Sequence, residues 1–322
     1  PEIPLRMTPM VLIGTVLTHL FGGSAGREGT AVQMGASMTD YLAHRLRLSP
    51  ALRRELLAAG VAGGFGSVFG TPIAGCVFGL EFVVLGRLEY DAIVPALVAS
   101  LVGDLTTRAI GEFHAAYPIA PAVELSPLLC GKWLVFGLAV AAVATVFIEL
   151  THALKRLGER HVAHLGVRMA IGGAVVVAGW QLLGTDDYLG LGGPLIARSF
   201  TPGGVPAWAF AAKLAFTAVT LGAGFLGGEV TPLFVIGGAL GCALGPVLGV
   251  PVPLAAGVGL AAMFAAASNT PLALSIMAVE LLGGRMLPHV VIVCVIAYLA
   301  TGHRSIYPSQ LTRATPRDRS GG

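Results

Sequence analysis

The sequence predicts an all-α integral membrane protein, a bundle of two related halves whose helices are broken at membrane depth. Three observations predict it. Of the 322 residues, 55% are hydrophobic and only 11% charged, at a mean hydropathy of +0.81, whereas a soluble domain carries about 25% charged residues. Glycine (45) and proline (20) are frequent, and they fall inside apolar segments, as close-packed and interrupted membrane helices require. Finally, one ordered set of short motifs occurs once in each half.

Apolar segments lie near 8–25, 57–86, 92–111, 128–150, 168–184, 207–226, 230–250, 254–283 and 288–301. They imply a multi-pass protein surrounded by membrane lipid. The stretch 57–86 carries Gly60, Gly63, Gly64, Gly66, Gly70 and Pro72, and predicts two helices rather than one. The stretch 254–283 divides likewise at Asn269 and Pro271. Basic residues gather at 44–55, at 155–168 and after Arg313, which marks cytoplasmic loops by the positive-inside rule and places the chain in the inner (plasma) membrane. Residues 184–206, rich in Gly, Pro, Asp and Thr, read as an extramembrane connection, and 312–322 as a polar tail. The chain opens on Pro1 with no signal peptide before its first apolar run, so upstream segments are expected to be missing.

Net charge is +3, and the basic residues sit in loops, so nothing points to nucleic acid. Cys76, Cys130, Cys242 and Cys294 lie far apart in or beside apolar segments, which suits small core residues. No metal-ligand spacing occurs, and no cofactor is expected.

The duplication is specific. Gly26-Arg27-Glu28-Gly29-Thr30 and Gly227-Gly228-Glu229-Val230-Thr231 share G-x-E-x-T beside a Gly-rich run. Pro72 follows Glu28 by 44 residues and Pro271 follows Glu229 by 42. Thr71-Pro72-Ile73-Ala74 matches Thr270-Pro271-Leu272-Ala273, each Pro is followed nine residues later by an acid (Glu81, Glu280), and Gly86-Arg87 matches Gly284-Arg285. Two repeats follow, 1–165 and 166–311. Transporter repeats often have opposite orientations, with the site midway through the bilayer.

A Gly-rich turn opening onto a helix at membrane depth suits an anion. The first N–H groups of a helix lack intrahelical partners, and the helix dipole makes that end partly positive. Glycine lets an ion reach the backbone. Two such ends, one per repeat, can share one ion. Thr30 and Thr231 can add hydroxyl donors or simply cap their helices. Glu28 competes with the anion for the same donors when ionised and leaves when protonated, which couples anion to proton movement. Glu229, its equivalent, can touch the ion path, a counter-ion, or only its own helix end. Arg27 reads as an interfacial or salt-bridging residue.

These residues resemble the CLC family of anion channels and proton-coupled antiporters, from about residue 8 to about 310. Gly26-Arg27-Glu28-Gly29-Thr30 is similar to the family's G-(K/R)-E-G-P, with Thr30 for Pro. Gly227 to Pro232 is similar to G-x-F-x-P, with Val230 for Phe. Tyr307 matches the pore tyrosine. Together G-R-E-G-T and G-G-E-V-T-P resemble the CLC-F subgroup of bacterial fluoride/proton antiporters. The resemblance implies a CLC-like inverted-repeat bundle and a homodimer with one pathway per subunit. It makes Glu28 the gating glutamate and has Val230, Thr231 and Tyr307 line the ion site; Gly26, Gly29 and Gly228 join the candidate site as the glycines that let an ion reach the backbone. Fluoride and protons are then the transported species. Where chloride antiporters carry an inner proton glutamate, beside the acid nine residues after the Pro, this chain has Phe82. A chloride channel or chloride/proton antiporter of the same fold is the alternative, and a cation-coupled carrier fits amide-rich helix starts poorly. Gly22-Gly23-Ser24-Ala25-Gly26 also fits the G-x-S-x-G nucleophile pattern, but an enzyme of that kind needs a Ser–His pair and leaves the second copy unexplained.

Overall fold

The computed structural model describes residues 3–82, 88–111, 114, 117–118, 121–307 and 310. Thirteen α-helices are present among them: α1 (Met7–Leu20), α2 (Glu28–Arg45), α3 (Pro50–Phe69), α4 (Pro72–Phe82), α5 (Ile93–Ala109), α6 (Pro127–His161), α7 (Leu165–Leu183), α8 (Gly193–Ser199), α9 (Ala209–Gly222), α10 (Val230–Leu248), α11 (Val252–Ser268), α12 (Pro271–Leu282) and α13 (Leu287–Thr301). Five helical segments are long and apolar enough to span a bilayer: 90–109, 127–161, 165–183, 230–248 and 284–301. The others are shorter or more polar, as in transporters built from broken helices. Large apolar side chains such as Val94, Leu105, Leu182 and Leu299 face outward, which suits lipid rather than water.

Helix ends follow local chemistry. Ser49 and Ser126 accept the Leu52 and Leu129 N–H groups and cap α3 and α6, each with a proline next in line. Both expected breaks occur. α3 stops at left-handed Gly70 (φ +67°) and α11 at left-handed Asn269 (φ +59°), with Pro72 and Pro271 starting the next helices. Residues 155–168, read as a loop, are helical as far as His161, because α6 continues for 35 residues. The connection 184–206 contains α8 and a short 3-10 turn at Asp186–Tyr188. The Gly86-Arg87 match and the tail 312–322 lie outside the described residues.

The order α1–α5 recurs as α9–α13. In each half a close glycine crossing joins the second and third of these helices. A Cβ on Gly35 would lie 2.2 Å from the Gly60 carbonyl oxygen, and one on Gly237 2.1 Å from that of Gly259. α11 is buried along nearly its whole length and forms the centre of the core. α6 falls in the 1–165 half by position, yet it packs against α9, α10, α11 and α13.

The α10–α11 crossing yields a prediction. Gly237→Ala forces two backbones apart where no flexible side chain can yield, so it should destabilise the fold by about 1–3 kcal/mol or more. A lowered unfolding temperature in detergent would show it.

Candidate anion site between the repeats

Each half builds its motif by the same route. α1 ends in Gly22 and Gly23, whose N–H groups return to His19 and Thr18 carbonyls, and α9 ends in Gly224 and Phe225, which return to Leu221 and Thr220. A short non-helical segment then leads to the next helix start. These two segments meet: Gly26 and Gly228 exchange backbone hydrogen bonds, N–H to O at 2.6 Å in both directions, as an isolated antiparallel bridge. Side chains are excluded from the junction. A Cβ on Gly228 would lie 2.6 Å from the Gly29 nitrogen, and one on Gly29 3.0 Å from the Gly228 Cα. The N-termini of α2 and α10 therefore abut.

The first intrahelical bonds run from Ala31 N–H to Arg27 O and from Leu233 N–H to Glu229 O. The N–H groups of Glu28, Gly29 and Thr30, and of Val230 and Thr231, precede them and have no helical acceptor. Glu28 is buried and folds back over its own helix start, its Oε2 accepting the Arg27 N–H at 3.0 Å. The carboxylate thus occupies one backbone donor at the helix start that an external anion would use. Arg27 turns outward, 69% exposed, with Nε 3.8 Å from Glu28 Oε1.

Glu229 stands at the N-cap position of α10 without a side-chain capping bond and directs Oε2 toward Gly29, 3.2 Å from where a Cβ would stand. That oxygen is buried and has no hydrogen-bond partner. The Tyr307 hydroxyl faces the Glu229 carboxylate and lies within electrostatic reach of Glu28 too. Glu28, Glu229 and Tyr307 thus converge, far apart in sequence. Val230 is fully buried and Thr231 half-buried at the α10 start. Thr30 instead pairs its hydroxyl with Thr15 of α1 at 2.8 Å, so it ties helices together. Ser24 pairs with Thr217 at 2.9 Å, while His19 uses both ring nitrogens on the Thr15 and Ala25 carbonyls. The Ser–His pair that hydrolysis needs is not formed.

Other contributors carried no signal in the sequence. Tyr117, between α5 and α6, lies within electrostatic reach of Glu28 and packs 6.0 Å from the Phe200 ring. Phe82 meets Tyr307 edge-on at 5.1 Å and continues into Phe78, which stacks on Phe65 at 4.2 Å. Rings therefore occupy the side of Tyr307 where chloride antiporters are expected to carry an acid. Gln310 holds the Tyr307 segment by donating to the Ser268 and Phe82 carbonyls, and Ile306 N–H donates to Ala267.

The pattern that defines the voltage gated chloride channel family matches residues 1–302. The chain belongs to this family. It is 46% identical to a chloride/fluoride channel protein of Pseudomonas syringae pv. tomato over 96% of this chain and 69% of that one. A solved CLC-type fluoride/proton antiporter superposes with a TM-score of 0.93 at 40% identity, over 97% of this chain and 79% of the other. The H(+)/Cl(-) exchange transporter ClcA of Yersinia pestis is 26% identical over 96% of this chain and 68% of its own length. The all-α CLC architecture is thus shown on fold and sequence together.

Within this CLC fold the two acids nine residues after the prolines find reciprocal partners. Glu81 of α4 accepts the Leu272 and Ala273 N–H groups that open α12, at 3.1 and 2.8 Å. Glu280 of α12 accepts those of Ile73 and Ala74 that open α4, at 3.1 and 2.7 Å. Each half caps the other, which is the contact pattern of a two-fold relation. Glu81→Ala and Glu280→Ala should each destabilise the protein by about 1–3 kcal/mol, because two amide donors lose their acceptor. The glutamine variants, which keep one acceptor, should cost less. Unfolding temperatures of the four variants would check this ranking.

Proposed function

We propose that this chain is a fluoride/proton antiporter that exports fluoride across the inner membrane, as a homodimer with one pathway per subunit. The observation that carries the reading is the Gly26–Gly228 pairing, which brings two unpaired helix starts together beneath a buried carboxylate. The donor set is backbone amide, partly positive by the helix dipole, and able to replace the hydration shell of a small anion. Fluoride rather than chloride is supported by the G-R-E-G-T and G-G-E-V-T-P motifs and by the relatives named for fluoride.

The geometry supports these roles. Glu28 is the gate. Ionised, it holds the amides at the α2 start; protonated, it loses its claim on them, swings away and admits an anion. Gly26, Gly29 and Gly228 keep side chains out of the junction, and Val230 and Thr231 line it from α10. Tyr307 supplies a hydroxyl donor. Glu229, with an oxygen that lacks a partner, lies on the ion path and takes part in proton transfer, since the position beside Glu81 is Phe82 and carries no exchangeable proton.

In liposomes loaded with fluoride or chloride, the wild type should release fluoride faster and take up protons in step. Faster chloride release would favour the alternative reading, a chloride/proton antiporter. Glu28→Gln should abolish proton uptake. Proton uptake that still tracks anion release in this variant would remove Glu28 from its role. Tyr307→Phe should change fluoride affinity or rate at an unchanged unfolding temperature, and an unaltered flux would remove Tyr307 from the site.

A further inference from the structure

A second cavity lies on the outer surface of the bundle, away from the anion site. It has a volume of about 490 Å³ and runs between α6 and α7 over α9, within the ~300–1,000 Å³ range of small-molecule sites. Leu154, Leu157, Ile171, Val175 and Val219 line it, and Arg168 and His161 stand at one end. α6 and α7 each pack against α9. A Cβ on Gly222 would meet Leu154 at 2.7 Å, and one on Gly172 would meet Ala223 at 2.3 Å, so glycines set the depth of the floor. α7 buries only Gly172 and Val176. Its apolar remainder faces outward, so the groove opens toward the hydrocarbon of the membrane.

Charge distinguishes this groove from ordinary lipid-facing surface. Arg168 itself lines the groove, and Lys155, Arg156 and Arg160 belong to the same last turns of α6 as the groove-lining Leu154, Leu157 and His161, with Glu159 the one acid among them. Lys155, Arg156 and Arg160 are exposed there, whereas the Arg168 side chain is only 16% exposed. Arg168 Nε is buried with no hydrogen-bond partner, and its NH1 stands 3.7 Å from Glu159 Oε1, too far for a hydrogen bond. A buried guanidinium donor without an acceptor is costly. A phosphate oxygen is its natural complement, because arginine binds phosphate through paired N–H groups.

We propose that this groove binds one anionic phospholipid, with the phosphate headgroup on Arg168 and the surrounding cations and an acyl chain laid along α7. Basic pockets between membrane helices at the cytoplasmic face select such headgroups. The positive-inside pattern puts 155–168 at that face.

Native mass spectrometry of the full chain in detergent, supplied with equal phosphatidylglycerol and phosphatidylcholine, tests it. One phosphatidylglycerol should be retained per chain in preference to phosphatidylcholine. Arg168→Gln should weaken that retention about fivefold, the shift expected from one interfacial cation. Ile171→Trp, which fills the groove without touching the charge, should weaken it as well and keeps the test open if the Arg168 variant fails to fold. Inorganic phosphate in excess should not displace the lipid. Equal retention of both lipids, retention unchanged in both variants, or displacement by phosphate alone would overturn the proposal. So would self-association of the wild type that Ile171→Trp abolishes while lipid retention stays constant.

Discussion

Two backbone hydrogen bonds between Gly26 and Gly228 hold together the part of the molecule on which everything else converges. A β-bridge of a single residue pair contributes little stability by itself. Its importance is geometric: it fixes where two helices begin. Helix starts carry the unpaired N–H groups, and in hydrocarbon those groups must be satisfied by something. Here the Glu28 carboxylate satisfies part of the requirement from within the chain. A ligand of the same sign can replace it. The same feature is thus a structural cap that the proposed function also uses as a binding site, and this dual use is what would let the carboxylate act as a gate.

The surrounding architecture keeps that junction in place by exchange between halves. Glu81 and Glu280 each cap the start of the other half's short helix, so α4 and α12 depend on each other for those amides. Buried carboxylates are expensive unless hydrogen-bonded, and each of these receives two amide donors. Glu229 is the exception, with an oxygen left unbonded beside Tyr307 and near Gly29. An incompletely satisfied acid within a membrane bundle is a functional feature more readily than a structural one. The contrast separates Glu81 and Glu280, which hold the frame, from Glu229, whose bonding is incomplete.

The aromatic wall bears on the chemistry as well. Phe65, Phe78, Phe82 and Tyr307 form a continuous run of ring contacts on one side of the site. Rings exclude water and carry no exchangeable proton, apart from the tyrosine hydroxyl. Under the proposed function, proton movement past this wall would use Tyr307 and Glu229 rather than the position held by Phe82.

Much of this was legible in the residues alone. Membrane class follows from scarce charge, since hydrocarbon rejects it, and helix breaks follow from Gly70, Pro72, Asn269 and Pro271, whose backbone preferences are local. The repeat, and with it the equivalence of Glu28 and Glu229, follows from order and spacing. The end of α6 was misread because its last turns are polar while the helix continues beyond the apolar run. What only the tertiary structure decided is who meets whom: Thr30 with Thr15, Glu81 with the α12 start, Tyr117 near Glu28, Arg168 facing an open groove. Such contacts join residues remote in the chain, and their partners are chosen by how whole helices pack, which no local preference encodes.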